Sequence, residues 1–191
     1  MKKIEIEIPD GKRAEWVNGV LILVDEKPKD VTERIKTFED ACRELNKMNS
    51  LIPVHPFVRS YNAYNDAELD IVWRDTDILA YLKLRIICAA LNEGWQPKFT
   101  EDEWRYYPWF CLYTKTELEN MSEEYKKNIV IIDTGEYDTE YAGFACASST
   151  RAPSHSTAHV GSRLCFKNID LATYCGEQFI NLWADYLLRR K

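Results

Sequence analysis

Apolar and polar positions alternate at the start of the chain, where Ile4, Ile6 and Ile8 are set against Glu5 and Glu7. A period of two is the signature of a half-buried strand, so the pattern predicts one over 3–8, closed by Pro9-Asp10-Gly11. Residues 13–17 and 20–24 flank Asn18-Gly19, a dipeptide that readily supplies the positive φ angles of a two-residue hairpin. A small β-meander over 1–26 is therefore expected as an N-terminal tab, followed by the linker-like Lys27-Pro28-Lys29-Asp30. The 191 residues are otherwise read as a single domain, 1–191.

The period then changes. Thr37 and Asp40 resemble a capping box, and Phe38, Ala41, Cys42, Leu45 and Met48 recur at helical spacing behind it. Pro53, Pro56 and several polar residues predict an irregular connection over 49–65, laid over the core by Ile52, Val54, Phe57 and Val58. Asp75 or Thr76 can cap a helix over 76–93 whose wide apolar face (Leu79, Leu82, Ile86, Ala89, Ala90, with Ile78, Ile87 and Leu91) belongs in a core. Gly94 stands at the expected left-handed C-cap, and Pro97 prevents resumption. Residues 104–113, WRYYPWFCLY, form an aromatic strand that Pro108 demotes to an edge or a bulge, because proline cannot donate to the ladder.

After an exposed helical turn in 117–128, short strands are predicted at 129–133, 142–147 and 160–166. The last two flank a polar loop of small residues. Asn168 then caps a helix over 168–188 that repeats Ala172, Cys175, Phe179, Leu182, Trp183 and Tyr186 on one face. The fold expected is α+β: a mostly antiparallel sheet from 105–113, 129–133, 142–147 and 160–166, packed with two main helices near 76–93 and 168–188.

Charge and cysteine content narrow the function classes. A formal net charge of −6 argues against a general nucleic-acid binder, which needs a basic surface to displace counterions. The six cysteines form no Cys-x-x-Cys pair, and Cys42, Cys88, Cys111 and Cys175 fall within apolar patterns as small buried hydrophobes. Met1-Lys2-Lys3 leads into alternating Ile and Glu with no uninterrupted apolar stretch, so a reduced, cytoplasmic location is expected, with a virion-associated one as the other option. No apolar run approaches the ~20 residues that span a bilayer, so no membrane partner is expected.

Several constellations bear on chemistry. His155 and His159 have the spacing of a helical zinc pair, but Pro153, Gly161 and the serines between them argue for a loop, and no metal is assigned. Ser148, Ser149, Ser154 and Ser156 lie near those histidines without the Gly-x-Ser-x-Gly elbow of a hydrolase. Glu101-Asp102-Glu103 is better read as a turn cap than as paired glycosidase carboxylates. No glycine-rich phosphate loop exists, so no cofactor and no enzymatic activity are expected. Half of the aromatic residues between Trp104 and Tyr113 should face outward by strand alternation and could stack a ligand.

Several blocks carry a resemblance. LRIICAALNEGW (84–95), WRYYPWF (104–110) and VGSRLCFKNIDLATYCGEQFINLW from Val160, with IEIEIPDGKRAEW and TFEDACREL (37–45), resemble a family of uncharacterised proteins from gut bacteria and their phages. The loop is similar to the variable region of C-type-lectin-like proteins diversified by retroelements, through Gly143-Phe144, Ala152-Pro153-Ser154 and Val160-Gly161-Ser162-Arg163-Leu164. Adenine replacement in asparagine codons cannot produce Lys, Glu, Gln, Trp or Met, and Tyr141 to Phe166 contains none of these. A C-terminal helix beyond the loop departs from that pattern. The resemblance implies a lectin-like fold in which Ser148, Ser149, Thr150, Arg151, His155, Thr157 and His159 are exposed. It makes Phe144, Leu164 and Phe166 scaffold, with Arg163 anchoring the loop through carbonyls.

The function expected is non-enzymatic, phage- or mobile-element-associated binding, with residues 144–160 contacting a protein or carbohydrate ligand and Trp109 beside them. The alternative is a structural or assembly protein, a homo-oligomer joined through the aromatic patch with an inert loop.

Overall fold

A computed structural model describes residues 7–17, 19–25, 30–48, 54–66, 76–98, 100, 102–152 and 162–191, with the backbone alone for 25, 147–152 and 162. The chain divides into two compact units, Met1–Asp30 and Val31–Lys191. In the first, β1 (Lys12–Val17) pairs antiparallel with β2 (Val20–Asp25), and Val17 faces Val20 across the turn. Gly19 has φ +79°, which a two-residue hairpin requires and an L side chain resists. The strand expected over 3–8 lies mostly outside the described residues, and 7–9 carry no strand.

The second unit is built around α4 (Thr76–Leu91), whose Leu84, Ile86, Ile87, Cys88, Ala90 and Leu91 are all buried. Burial on so many sides means that other elements surround it, and α2 (Phe38–Lys47), α3 (Pro56–Asn65), α7 (Ile169–Gln178) and α8 (Ile180–Leu187) all pack on it. A short α1 (Val31–Arg34) precedes α2. The Thr37 hydroxyl accepts Asp40 N–H while the Asp40 carboxylate accepts Thr37 N–H, so the predicted capping box forms. α4 ends at Leu91, and the left-handed backbone after it begins at Glu93, φ +50°, one residue before the expected Gly94, φ +86°.

A three-stranded antiparallel sheet lies beside these helices in the order β3 (Arg105–Tyr113), β5 (Gly143–Ala152), β4 (Ile131–Asp133). Between β3 and β4 run two short exposed helices, α5 (Lys115–Asn120) and α6 (Glu123–Lys127). The protein is α+β. The core joins Phe144 on β5 to Trp183 on α8 through Phe110, whose ring stacks on Phe144 with centroids 4.7 Å apart. Pro108 does sit in an edge strand, and the register shifts between Trp109 and Phe110, where Ala147 is the extra residue on β5.

Three expectations are corrected. Residues 56–65 form α3 rather than an irregular connection, because Pro56 occupies the first turn, where a missing N–H costs nothing. The His55 side chain caps that helix by accepting Phe57 N–H at 3.2 Å. Residues 160–166 are not a strand within the described part: Ser162–Leu164 is a 3-10 turn, and Phe166 alone bridges to Tyr106. Tyr106 exchanges both backbone bonds with Phe166, at 3.0 and 2.9 Å, and two residues on Pro108 has no N–H to continue the pairing. The Asn92 side chain holds the segment instead, donating to the Cys165 carbonyl at 2.8 Å and accepting Lys167 N–H at 3.0 Å. The last helix is two helices, α7 and α8, separated at Phe179, whose ψ of 30° departs from the helical value.

Among the described residues no helix is long and apolar enough to cross a membrane.

Candidate functional site

The residues singled out in the sequence fall into two groups. Ser148, Ser149, Thr150 and Arg151 belong to β5 and not to a loop, because β3 offers nine residues of partner backbone and β5 follows it to Ala152. In that register Trp109 pairs with Ser148, Pro108 with Ser149, Tyr107 with Thr150 and Tyr106 with Arg151. Trp109 is 54% exposed in mid-strand, although Phe110 next to it is held against the core. The structure therefore brings Trp109 and Ser148 to directly paired positions. His155, Thr157 and His159 lie outside the described residues.

Phe144, Leu164 and Phe166 are buried. Arg163 is exposed and forms no hydrogen bond with a described residue, so the expected anchoring to carbonyls is not seen there. Glu103 closes the turn after α4, its carboxylate accepting Lys98 N–H at 2.7 Å, as expected of a turn cap.

The six cysteines are free, and Cys88, Cys146, Cys165 and Cys175 are buried. Burial pushes the Cys42 thiol up to about 11 and the Cys165 thiol up to about 12, against an opposing pull on Cys165 from the Arg105 guanidinium. Thiols held so far above neutrality are protonated and poor nucleophiles. Among the described residues no three His, Cys, Asp or Glu side chains are placed to hold a metal ion.

A second feature was not anticipated. A cleft of about 480 Å³ opens beside α4, where Arg85, the capping His55 and Arg163 from the 3-10 turn converge with Phe57, Trp95 and Met48. The Arg85 guanidinium stacks on the Phe57 ring, 3.8 Å from its centroid, and its Nε is shielded from solvent without a hydrogen-bond partner among the described residues. His55 is held below its ordinary value of 6.5, first by partial burial and then by the neighbouring Arg85 charge. Among the described residues no carboxylate lines the cleft. Glu93, which follows α4, is engaged by Arg34 at 2.6 Å and Lys167 at 3.1 Å.

The sequence did contain a signal for this cleft. Arg85 interrupts the otherwise apolar run from Leu84 to Leu91, and a charged residue inside a core helix asks for a partner. Compared with protein-family models, curated proteins and solved structures, the chain shows no match.

Proposed function

We propose that the chain is a non-enzymatic, phage- or mobile-element-associated binding protein that contacts a carbohydrate through residues 144–160, with Trp109 as the anchor. The half-exposed indole of Trp109, fixed in mid-strand at the register position paired with Ser148, carries this reading. An indole held by a strand presents a large flat apolar face at little conformational cost, and such a face suits the C–H side of a sugar ring. Hydroxyl-bearing Ser148, Ser149 and Thr150 follow one another along the neighbouring strand. The likeness of 141–166 to retroelement-diversified variable regions supports both a lectin-like role and the mobile-element association.

The test is a glycan array probed with the full chain and with Trp109→Ala, alongside a pull-down for protein ligands. Loss of at least ~10-fold in binding is expected for the variant, as for an aromatic anchor at an interface. Glycan binding that survives Trp109→Ala, and also survives joint replacement of Arg151, His155 and His159 by Ala, sinks the proposal. A ligand that is a protein alone removes the carbohydrate assignment.

A second reading, assembly of identical chains through an aromatic patch, is favoured by Trp104, which is also about half exposed just before β3. It requires an oligomer by light scattering that Trp109→Glu dissociates.

A further inference from the structure

The geometry points to the α4 cleft as a binding site for a small organic anion with a flat apolar body. Two guanidinium groups, from Arg85 and Arg163, line it with the His55 imidazole, and no carboxylate among the described residues lines it. Neither arginine forms an ion pair with a described residue. In a chain whose net charge is −6, this is a local excess of positive charge. Partly buried charges are normally paired, since removing them from water is costly. An anion bound in the cleft would supply the missing charge.

The polar groups suit an acidic head. The His55 Nδ1 accepts Phe57 N–H, so the proton of the neutral ring is on Nε2, which can donate to a ligand. The guanidinium of Arg85, oriented by its stack on Phe57, and that of Arg163 add planar sets of donors matched to carboxylate or phosphate oxygens. The remaining walls set the apolar and aromatic Trp95, Met48, Leu45 and Pro97 beside the polar Asn92 and Gln96. A volume of about 480 Å³ lies within the ordinary range for small-molecule pockets and exceeds what a bare inorganic ion fills. These residues are distinct from Trp109 and 144–160, so the inference stands apart from the proposed function.

The experiment is titration calorimetry on the full chain with four probes: phenyl phosphate, benzoate, the neutral benzamide and inorganic phosphate. Saturable binding is expected for phenyl phosphate or benzoate, weakening as salt rises, with benzamide silent. Arg163→Gln should weaken it about 10-fold or more, the worth of one charge-assisted hydrogen bond. Because Arg163 is exposed, the thermal midpoint of that variant should stay unchanged. Arg85→Lys, which keeps the charge and loses the planar fork, should also bind more weakly. Trp109→Ala should bind the probes as the parent does, which separates this site from the sheet surface. Absence of saturable binding overturns the inference, as does equal binding of benzamide or binding unaffected by Arg163→Gln. Inorganic phosphate binding as tightly as phenyl phosphate overturns the assignment of an organic body.

Discussion

Gly176, buried in the last turn of α7, gives a direct test of how that helix lies on the sheet. A Cβ added there would overlap the Cys146 sulfur on β5 and come within 3.0 Å of Pro108 Cβ on β3. Both neighbours are fixed, one in the central strand and the other in a proline ring, so neither can swing away as a surface side chain could. Gly176→Ala gains about 1 kcal/mol of helix propensity and loses about 1–3 kcal/mol to overpacking. Contact with two rigid groups places the loss at the upper end, for a net destabilisation of about 1–2 kcal/mol. For a chain of this length that lowers the thermal midpoint by roughly 2–8 °C. Calorimetry and urea unfolding would measure it. Cys146→Ala supplies the control, because it removes the sulfur and leaves Cys146 Cβ at an ordinary 3.4 Å. By itself that change opens a small cavity, whereas in the Gly176→Ala background the new methyl group fills it. The two substitutions together should be more stable than the sum of their separate effects predicts, by about 1 kcal/mol. A Gly176→Ala protein as stable as the parent, or strictly additive effects, would show that α7 does not sit on β5 as described.

Asn92→Leu should cost about 2–4 kcal/mol by urea unfolding, because the buried Cys165 carbonyl and the half-buried Lys167 N–H lose their partner. Leu84→Ala, at a fully buried position of α4, should cost about 2–5 kcal/mol in the same assay. Hydrogen bonds hold Asp40 and Glu117 below the usual carboxylate range: Lys36 and Thr37 N–H act on Asp40, and Thr114 acts on Glu117. Their stabilisation is present above their unfolded values of 3.8 and 4.5 and is lost as pH falls through the depressed ones. The urea midpoint should therefore drop in that acid range, and less so in Asp40→Asn. His55 has the same sign higher up: its folded value lies below 6.5, so stability declines as pH falls from about 6.5. His55→Asn keeps a capping side chain and should flatten that slope, whereas an unchanged slope would place the titration elsewhere.

The elements legible in the sequence are those whose cause is local. Thr37 and Asp40 are three residues apart and cap each other, Gly94 supplies its own positive φ, and Pro108 marks an edge because the group it lacks is its own. The elements misread depend on distant residues. Pro56 reads as a breaker until His55 is seen capping a helix behind it, and histidine is not among the usual capping residues. Residues 160–166 have the composition of a strand, yet within their described part Phe166 alone pairs with β3 and the Cys165 carbonyl is held by the side chain of Asn92, more than seventy positions earlier. The strand at Ser148 to Ala152 was hidden in a different way. Its small polar residues look like a loop, and what makes them a strand is β3 opposite, which stands well before them in the chain.

The same reasoning separates the two candidate sites. Trp109 could be picked from the sequence because one exposed aromatic on an alternating strand is enough to suggest a contact surface. The cleft needs His55, Arg85 and Arg163, which come from three separate stretches of chain and meet only when α3, α4 and the 3-10 turn are in place. What the sequence could show was a conflict: Arg85 stands where the pattern of α4 asks for an apolar residue. Stacking on Phe57 does not resolve it, since a leucine or methionine would cover that ring without bringing a charge into a partly buried position. A departure from the local pattern that the packing does not explain is what a binding residue leaves behind. Arg85→Met, which keeps the apolar stem against Phe57, should then leave the protein at least as stable as the parent while abolishing anion binding.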